Sequence, residues 1–409
     1  MNRKKIIVPL VLLVAIACYF VFFHKDKTLL FIPENADAVA LVDVKKLTRQ
    51  YISSFITHPS QWLDGKKTDK EGSSVWDAGV KIPDFLQIFH LKNTGFYHWY
   101  TVIELDDHQK FLSFLKKQKF INKGENLYQK DHIFLSIQGD HCMVGTSEQD
   151  LASVHHLLLQ SSAKKKYNAD QFIEGTTGSI SFISGQKIRN FSVELKDDEV
   201  EIKNTSKTET FNALLTKVQQ KARFLEIELD AENVKKFTFF FNKNNTDIPE
   251  ITHYKATAEL EQVNDTIVTY GYDDNFNEIE KKTFQKITQP KYVIRLQSPN
   301  PEKTWEYFQN KKWINSQNQF TIIPFQPNSI YKNKEGIVIE STENPIQLSP
   351  DLRENYIFIK NDALLSSSAS FINKGILSTI DYIFYGNKAE DYYIRLQGKK
   401  GKLPLILRW

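Results

Sequence analysis

The chain has 409 residues, 13% of them aromatic and 25% charged, with 53 basic against 49 acidic side chains. Residues 1–27 hold five of the basic and one of the acidic residues, so 48 of each remain in 28–409; a neutral body offers a polyanion no electrostatic footprint, which argues against nucleic acid as a partner. Cys18 and Cys142 are the two cysteines, and with the first in an apolar run no intrachain disulfide is expected to staple the fold.

Arg3, Lys4 and Lys5 precede an uncharged, largely apolar run from Ile6 to Phe23. As a helix this run spans about 27 Å, close to the ~30 Å hydrocarbon core of a bilayer. Pro9 falls in its first turn, where a missing N–H costs little. Ala15-Ile16-Ala17 resembles a signal cleavage site, and Ala17-Cys18 resembles the end of a lipobox. Cutting after Ala17 would leave Tyr19-Phe20-Val21-Phe22-Phe23 as an apolar N-terminus with nothing to bury it. The position three before Cys18 is Ala15, where a lipobox usually carries a large aliphatic residue. A retained signal anchor over 1–27 is therefore expected, with acylation of Cys18 and cleavage as the alternatives. The basic residues before the run place the N-terminus inside and the bulk of the chain on the extracytoplasmic, periplasmic side. The membrane is then the first expected partner, met through residues 6–23.

After the anchor, a short strand is predicted over Ala38–Val42, running into a helix with Leu47, Tyr51 and Phe55 on one apolar face. "DGKKTDKEGSS" (64–74) reads as a surface linker. "TVIELDDHQKFLSFLKKQKFIN" (101–122) reads as a strand, a helix with Asp106 and Gln109 at capping spacing, and a return. In "KDHIFLSIQGDHCMVGTS" (130–147), Gly139-Asp140 is a two-residue turn signal that sets Ile137 opposite Cys142 and Leu135 opposite Val144. A helix over about 148–159 and a loop over 161–170 follow. Alternation over 178–202 and 224–272 predicts antiparallel hairpins. "DYYIRLQGKKGKLPLILRW" is expected to close the chain as a hairpin turning near Gly398–Lys402.

An internal echo organises these elements. "YVIRLQSPNPEKTWEYFQNKKWIN" (292–315) repeats the strand–helix–return of 101–122, its helix and end offset by 193 and its start marked by Asn300 before Pro301 at N1. "ELDAENVKKF" (228–237) resembles "LVDVKKL" (41–47), and "IYKNKEGIVIE" (330–340) resembles "LYQKDHIFLSI" (127–137). Long crossover helices are sparse. The expected class is α+β: an N-terminal transmembrane helix (1–27), then two similar tandem halves, 28–221 and 222–409, of mostly antiparallel sheet with packed helices. Phe120 and Trp313, and Leu112 and Trp305, are matched between halves and expected in the core.

Candidate chemistry concentrates at Asp131-His132, Asp140-His141, Cys142 and His155-His156. A thiol nucleophile with a histidine base, or a metal, would need these to converge. The predicted hairpin turns Cys142 to an apolar stripe with Ile133, Leu135, Ile137 and Val144, and holds His132 and His141 roughly 20 Å apart. His155 and His156 are neighbours on a helix and diverge by about 100°. Asp106-Asp107, Asp197-Asp198 and Asp273-Asp274 sit where turns or caps are expected. Lys164-Lys165-Lys166 reads as a solvated loop, and "GNKAED" and "GKKGK" lack phosphate-loop spacing. No catalytic, cofactor or metal residue is assigned, and no cofactor is expected.

"LLFIPENADAVALVDVKKL" (29–47), "NFSVELKDDEVEI" (190–202) and "FIKNDALLSSSASFINKGIL" (358–377) resemble a group of N-terminally anchored bacterial (Bacteroidota-like) cell-envelope proteins of unknown function. The resemblance implies an extracytoplasmic protein, often with repeated halves, and carries no catalytic residues. The expected function is a non-catalytic binding or scaffold role in the cell envelope, toward an envelope protein or a lipid. The alternatives are a carrier of lipid or hydrophobic peptide in a cleft between the halves, and an envelope hydrolase.

Overall fold

The computed structural model describes residues 19, 23–57, 78–124, 126–148, 150–151, 154, 167–221, 223–241, 249–272, 274–323, 328–341, 346–361, 378–401 and 403–408. Contacts divide the chain into two compact units, Met1–Asn204 with Lys402–Pro404, and Thr205–Gly401 with Leu405–Trp409.

The first unit runs β1 (Thr28–Leu29), β2 (Ala36–Asp43), α1 (Val44–Thr57), β3 (Phe85–Leu91), β4 (Trp99–Glu104), α2 (His108–Lys117), β5 (Ile121–Gly124), β6 (Leu127–Lys130), β7 (Ile133–Gln138), β8 (His141–Gly145), β9 (Tyr167–Asn168), β10 (Gly178–Ser184), β11 (Lys187–Leu195) and β12 (Glu199–Lys203). Its sheet has the order β12-β11-β10-β2-β3-β4-β8-β7-β6-β5, every pair antiparallel, and β1 pairs β9 apart from it. One core gathers Val39, Leu41, Phe89, Tyr100 and Phe172. Another sets Phe111 and Leu115 of α2 on Leu135, Ile137 and Cys142.

The second unit runs α3 (Glu209–Gln219), β13 (Leu225–Asp230), α4 (Ala231–Phe241), β14 (His253–Tyr272), β15 (Glu278–Gln297), α5 (Pro301–Asn310), β16 (Asn328–Lys332), β17 (Gly336–Ser341), β18 (Asn355–Lys360), β19 (Ile380–Lys388) and β20 (Asp391–Gly398). Its order is β20-β19-β18-β13-β14-β15-β17-β16, again all antiparallel. α3 packs Phe211, Leu214, Leu215 and Val218 against Tyr356, Phe358, Phe384 and Tyr393 of this sheet, so residues 209–219, placed by sequence at the end of the first half, belong to the core of the second unit. Taken in chain order and without β5, β6 and the separate β1–β9 pair, the first unit's strands follow the same order as the second's.

Local chemistry explains why matching segments fold alike. Asp43 ends β2 and accepts from the Lys46 N–H at 2.8 Å, while Asp230 ends β13 and accepts from the Asn233 N–H at 2.9 Å; each caps the helix that follows. Asp107 caps α2 through the Lys110 N–H, and Asn300 caps α5 through the Lys303 N–H, so the α2 cap sits one residue after the Asp106 expected from spacing. Both helices end on a lysine of positive φ, Lys119 at 64° and Lys312 at 58°. The following N–H, of Phe120 or Trp313, reaches back to Leu115 O or Phe308 O, a Schellman closure.

Two expectations are corrected. About 48% of the structure is strand and 20% helix, in antiparallel sheet, so the class is mostly β rather than α+β. The helices are short, and α1 buries none of its side chains completely: Ile52, Phe55 and Ile56 of its second half are exposed, so helical periodicity there overstated its share of the core. Among the described residues no helix is long and apolar enough to cross a membrane. The run 6–23 expected to do so lies outside them except for Tyr19 and Phe23. The linker 64–74, the Lys164–Lys166 run and His155-His156 also lie outside the described residues. At the C-terminus, the expected turn near Gly398–Lys402 is instead at Ala389-Glu390: β20 pairs back on β19 with Lys388 opposite Asp391, and Ala389 takes φ 53°. The matched aromatic residues lie at the rim of their cores. Phe120, Trp313, Leu112 and Trp305 are half-buried, while Phe111 and Leu115 in α2, and Thr304 and Phe308 in α5, are the buried ones.

Candidate functional site

The Asp-His hairpin is built as its turn dictates. Gly139 takes φ 54°, and β7 pairs β8 with Gln138 opposite His141, Ile137 opposite Cys142 and Leu135 opposite Val144. Cys142 is fully buried, and burial pushes its thiol up to about 12, far from the thiolate a nucleophile needs. His141 lies edge-on to Phe31 with ring centroids 5.7 Å apart. Asp140 pairs with His108 at 3.5 Å, and Asp131 occupies a turn with φ 52°. Among the described residues no histidine is bonded to the thiol, whose one hydrogen-bond contact is to Met143 O at 3.8 Å. Among the described residues no three His, Cys, Asp or Glu side chains are grouped to hold a metal.

The second unit holds a polar cluster that the sequence reading missed. Along β13, Leu225, Ile227 and Leu229 alternate with Glu226 and Glu228, which ordinarily marks a solvated face, yet both glutamates are buried. Segment 346–353 and strand β14 supply their partners. Glu228 accepts from the Leu352 and Arg353 N–H groups at 3.1 and 2.9 Å. It also lies 3.4 Å from the Lys255 ammonium and 3.7 Å from the His253 ring. Lys255, itself buried, also pairs with Asp351. Burial pushes the Glu228 carboxyl up, but His253, the two backbone N–H groups and Lys255 outweigh it and hold the group down at about 2. Glu226 accepts from Arg223 at 2.8 Å and from the Ser349 hydroxyl at 2.6 Å. A cavity of about 320 Å³ beside Glu228 is lined by Asp230, His253, Asp351, Arg353 and Glu354. Glu228 is held by two backbone N–H groups and by the lysine, which lies between two anions; Glu226 Oε2 accepts no hydrogen bond among the described residues and lies 3.6 Å from the Lys221 ammonium. Such a cluster clasps 346–353 to the sheet.

The feature the fold does not require is the β14–β15 hairpin. Its twenty opposed pairs run from His253/Gln297 to Tyr272/Glu278. Neighbouring strands cover only the base: β13 pairs His253–Ala258, and β17 pairs Val293–Gln297. The fourteen pairs from Glu259/Lys291 outward form a two-stranded arm about 45 Å long. Among the described residues neither outer edge of the arm pairs with another strand. Even-numbered residues share one face, where Tyr270, Tyr272 and Phe284 are 69%, 72% and 74% exposed beside Val268. Odd-numbered residues share the other, with Ile267 and Ile279 exposed. Phe276, in the turn, is 86% exposed. Cross-strand bonds hold the ribbon, from Thr269 Oγ1 to Lys281 O at 3.2 Å and from Gln285 to Asp265 at 3.4 Å. Asp274 lies in the turn at the tip, as expected; Asp273 lies outside the described residues. Free edges and exposed aromatic rings together make a surface suited to strand addition and apolar contact.

No protein-family model, curated protein or solved structure matches the chain.

Proposed function

We propose that the chain is a membrane-tethered, extracytoplasmic binding or scaffold protein of the cell envelope whose working element is the β14–β15 arm. The tether is the apolar run 6–23 behind Arg3, Lys4 and Lys5, and the likeness of 29–47 to anchored envelope proteins points the same way. The observation that carries the binding role is the arm itself. Fourteen strand pairs extend past the last neighbouring strand, with four aromatic side chains more than two-thirds exposed. Burying one such ring gains about 1.5–3 kcal/mol, so leaving them in water is costly without a partner. The buried thiol, far from the thiolate a nucleophile needs, favours binding over catalysis.

The test is photo-cross-linking in intact cells, with the photoreactive group placed at Tyr270, Tyr272 or Phe284 and, as control, at Glu306 on α5. Adducts from the arm and none from the control are expected. Equal adducts from both sites, or none from the arm, would contradict the proposal.

A further inference from the structure

The outer edge of β15 is a short sequence read against itself. From Glu278 to Thr288 it runs Glu-Ile-Glu-Lys-Lys-Thr-Phe-Gln-Lys-Ile-Thr, and among the described residues these pair with no strand but β14. Two copies that meet edge to edge are related by a two-fold axis perpendicular to the ribbon, and side chains set opposite one another then share a face. The axis must therefore pass through a single residue number. An axis at Ile279 or Glu280 opposes glutamates, one at Lys281 or Lys282 opposes lysines, and one at Phe284 opposes Lys282 to Lys286 twice. Thr283 is the remaining centre between 279 and 284, and centres at Gln285 or Ile287 avoid like charges without pairing any opposite ones. There Glu280 meets Lys286 twice, Ile279 meets Ile287 twice, Lys282 meets the Phe284 ring twice, Lys281 meets Gln285, and Glu278 meets Thr288. No like charges face one another.

The β14 edge lacks such a code. From Gln262 to Tyr272 it carries one charge, Asp265, and so specifies no register electrostatically. All the residues that β15 would use are exposed from Glu278 to Lys286. The aromatic face of the paired arms would carry Tyr270, Tyr272, Val268 and Phe284 from each copy across four continuous strands, a width at which a sheet becomes independently stable.

We infer that the arm's partner is a second copy of this chain, joined by antiparallel pairing of the two β15 edges about Thr283. This rests on the reading of the arm as the binding element. It extends that reading by naming the occupant, the edge and the register.

Cysteine pairing in the full-length, detergent-solubilised chain carrying Cys18→Ser tests it, since Cys142 is buried. Thr283→Cys should give a disulfide-linked dimer under mild oxidation. Lys281→Cys and Gln285→Cys should each stay monomeric alone and cross-link when mixed, because each faces the other and lies about 13 Å from its own copy. Glu280→Lys should weaken dimerisation about ten-fold, since two opposed pairs turn repulsive, and adding Lys286→Glu should restore it. Monomeric Thr283→Cys with arm photo-adducts to another envelope protein would overturn self-pairing and leave the arm as the binding element. Monomeric Thr283→Cys with no arm adducts would overturn both. Cross-linking of Lys281→Cys alone, with none in the mixture, would overturn the register and with it the inference.

Discussion

The two units answer the same sheet position in opposite ways. Aligned on the helix-capping aspartates Asp43 and Asp230, Leu41 opposite Gln87 in the first unit corresponds to Glu228 opposite Lys255 in the second, and Val39 corresponds to Glu226. In the first unit Val39 and Leu41 lie in an apolar core; in the second the same places hold buried, fully paired charges. Strand order and capping therefore define this architecture, and the middle of the sheet accepts either filling provided no charge is left alone. The hairpin after each opening helix differs just as sharply. β3 and β4 pair over Ile88–His90, whereas β14 and β15 pair over twenty residues. The short version closes the sheet equally well, so the extra length of the second is surplus to folding.

The largest expected effect breaks the ionic side of this comparison. Lys255→Met leaves Glu228 and Asp351 without their shared cation and should cost about 3–5 kcal/mol in denaturant unfolding of the second unit. Exchanging the three residues for their first-unit counterparts, Glu226→Val, Glu228→Leu and Lys255→Gln, should cost less, because the buried Glu228–Lys255 pair goes as a whole while Asp351 is largely exposed and Arg223 keeps Glu259 and Gln347 O. A triple exchange more damaging than Lys255→Met would show that the fillings are not interchangeable.

Acid tests the ionic filling next. The Glu228 carboxyl is held at about 2 in the fold, below its unfolded value near 4.5. Its contribution is therefore complete above pH ~4.5 and disappears as pH falls toward 2. The shift amounts to on the order of 3 kcal/mol, and the first unit has leucine at the corresponding place. The stability of the second unit should fall across that window in the native chain, and Glu228→Gln should flatten the fall. An unchanged profile in Glu228→Gln would remove this carboxylate from the account.

A smaller effect sharpens what the units share. Lys119 and Lys312 both hold left-handed backbone at a helix end, where glycine is free of the Cβ penalty. Lys119→Gly and Lys312→Gly should each stabilise by about 0.5–1 kcal/mol, measured as thermal midpoints. Gains of opposite sign would mean the two closures are not equivalent.

How legible this was depends on whether the deciding contacts are local. The Gly139-Asp140 turn set the β7–β8 register because a two-residue hairpin fixes pairing within a few residues. The Asn300-Pro301 helix start was equally plain. Glu226 and Glu228 were not, because their partners Ser349, Leu352 and Arg353 are more than 120 residues away in sequence, and alternation alone reads as one wet face. α1 misled for the converse reason: Leu47, Tyr51 and Phe55 keep a helical period, yet among the described residues Ile52, Phe55 and Ile56 of its second half stay exposed. The arm escaped notice because both of its faces mix apolar and charged residues, so alternation announces a hairpin but neither its reach nor its exposure. The misplaced C-terminal turn has the same origin, since Gly398 and Gly401 are stronger turn letters than Ala389-Glu390.

The most direct test is to replace residues 262–288 with an Asn-Gly turn, leaving the covered base of β14 and β15, and to follow unfolding and cell-envelope cross-linking on the same variant. The account predicts an unfolding free energy within about 1 kcal/mol of the native chain and loss of the arm-dependent cross-linked species. Collapse of the second unit, or cross-linked species identical to those of the native chain, would contradict it.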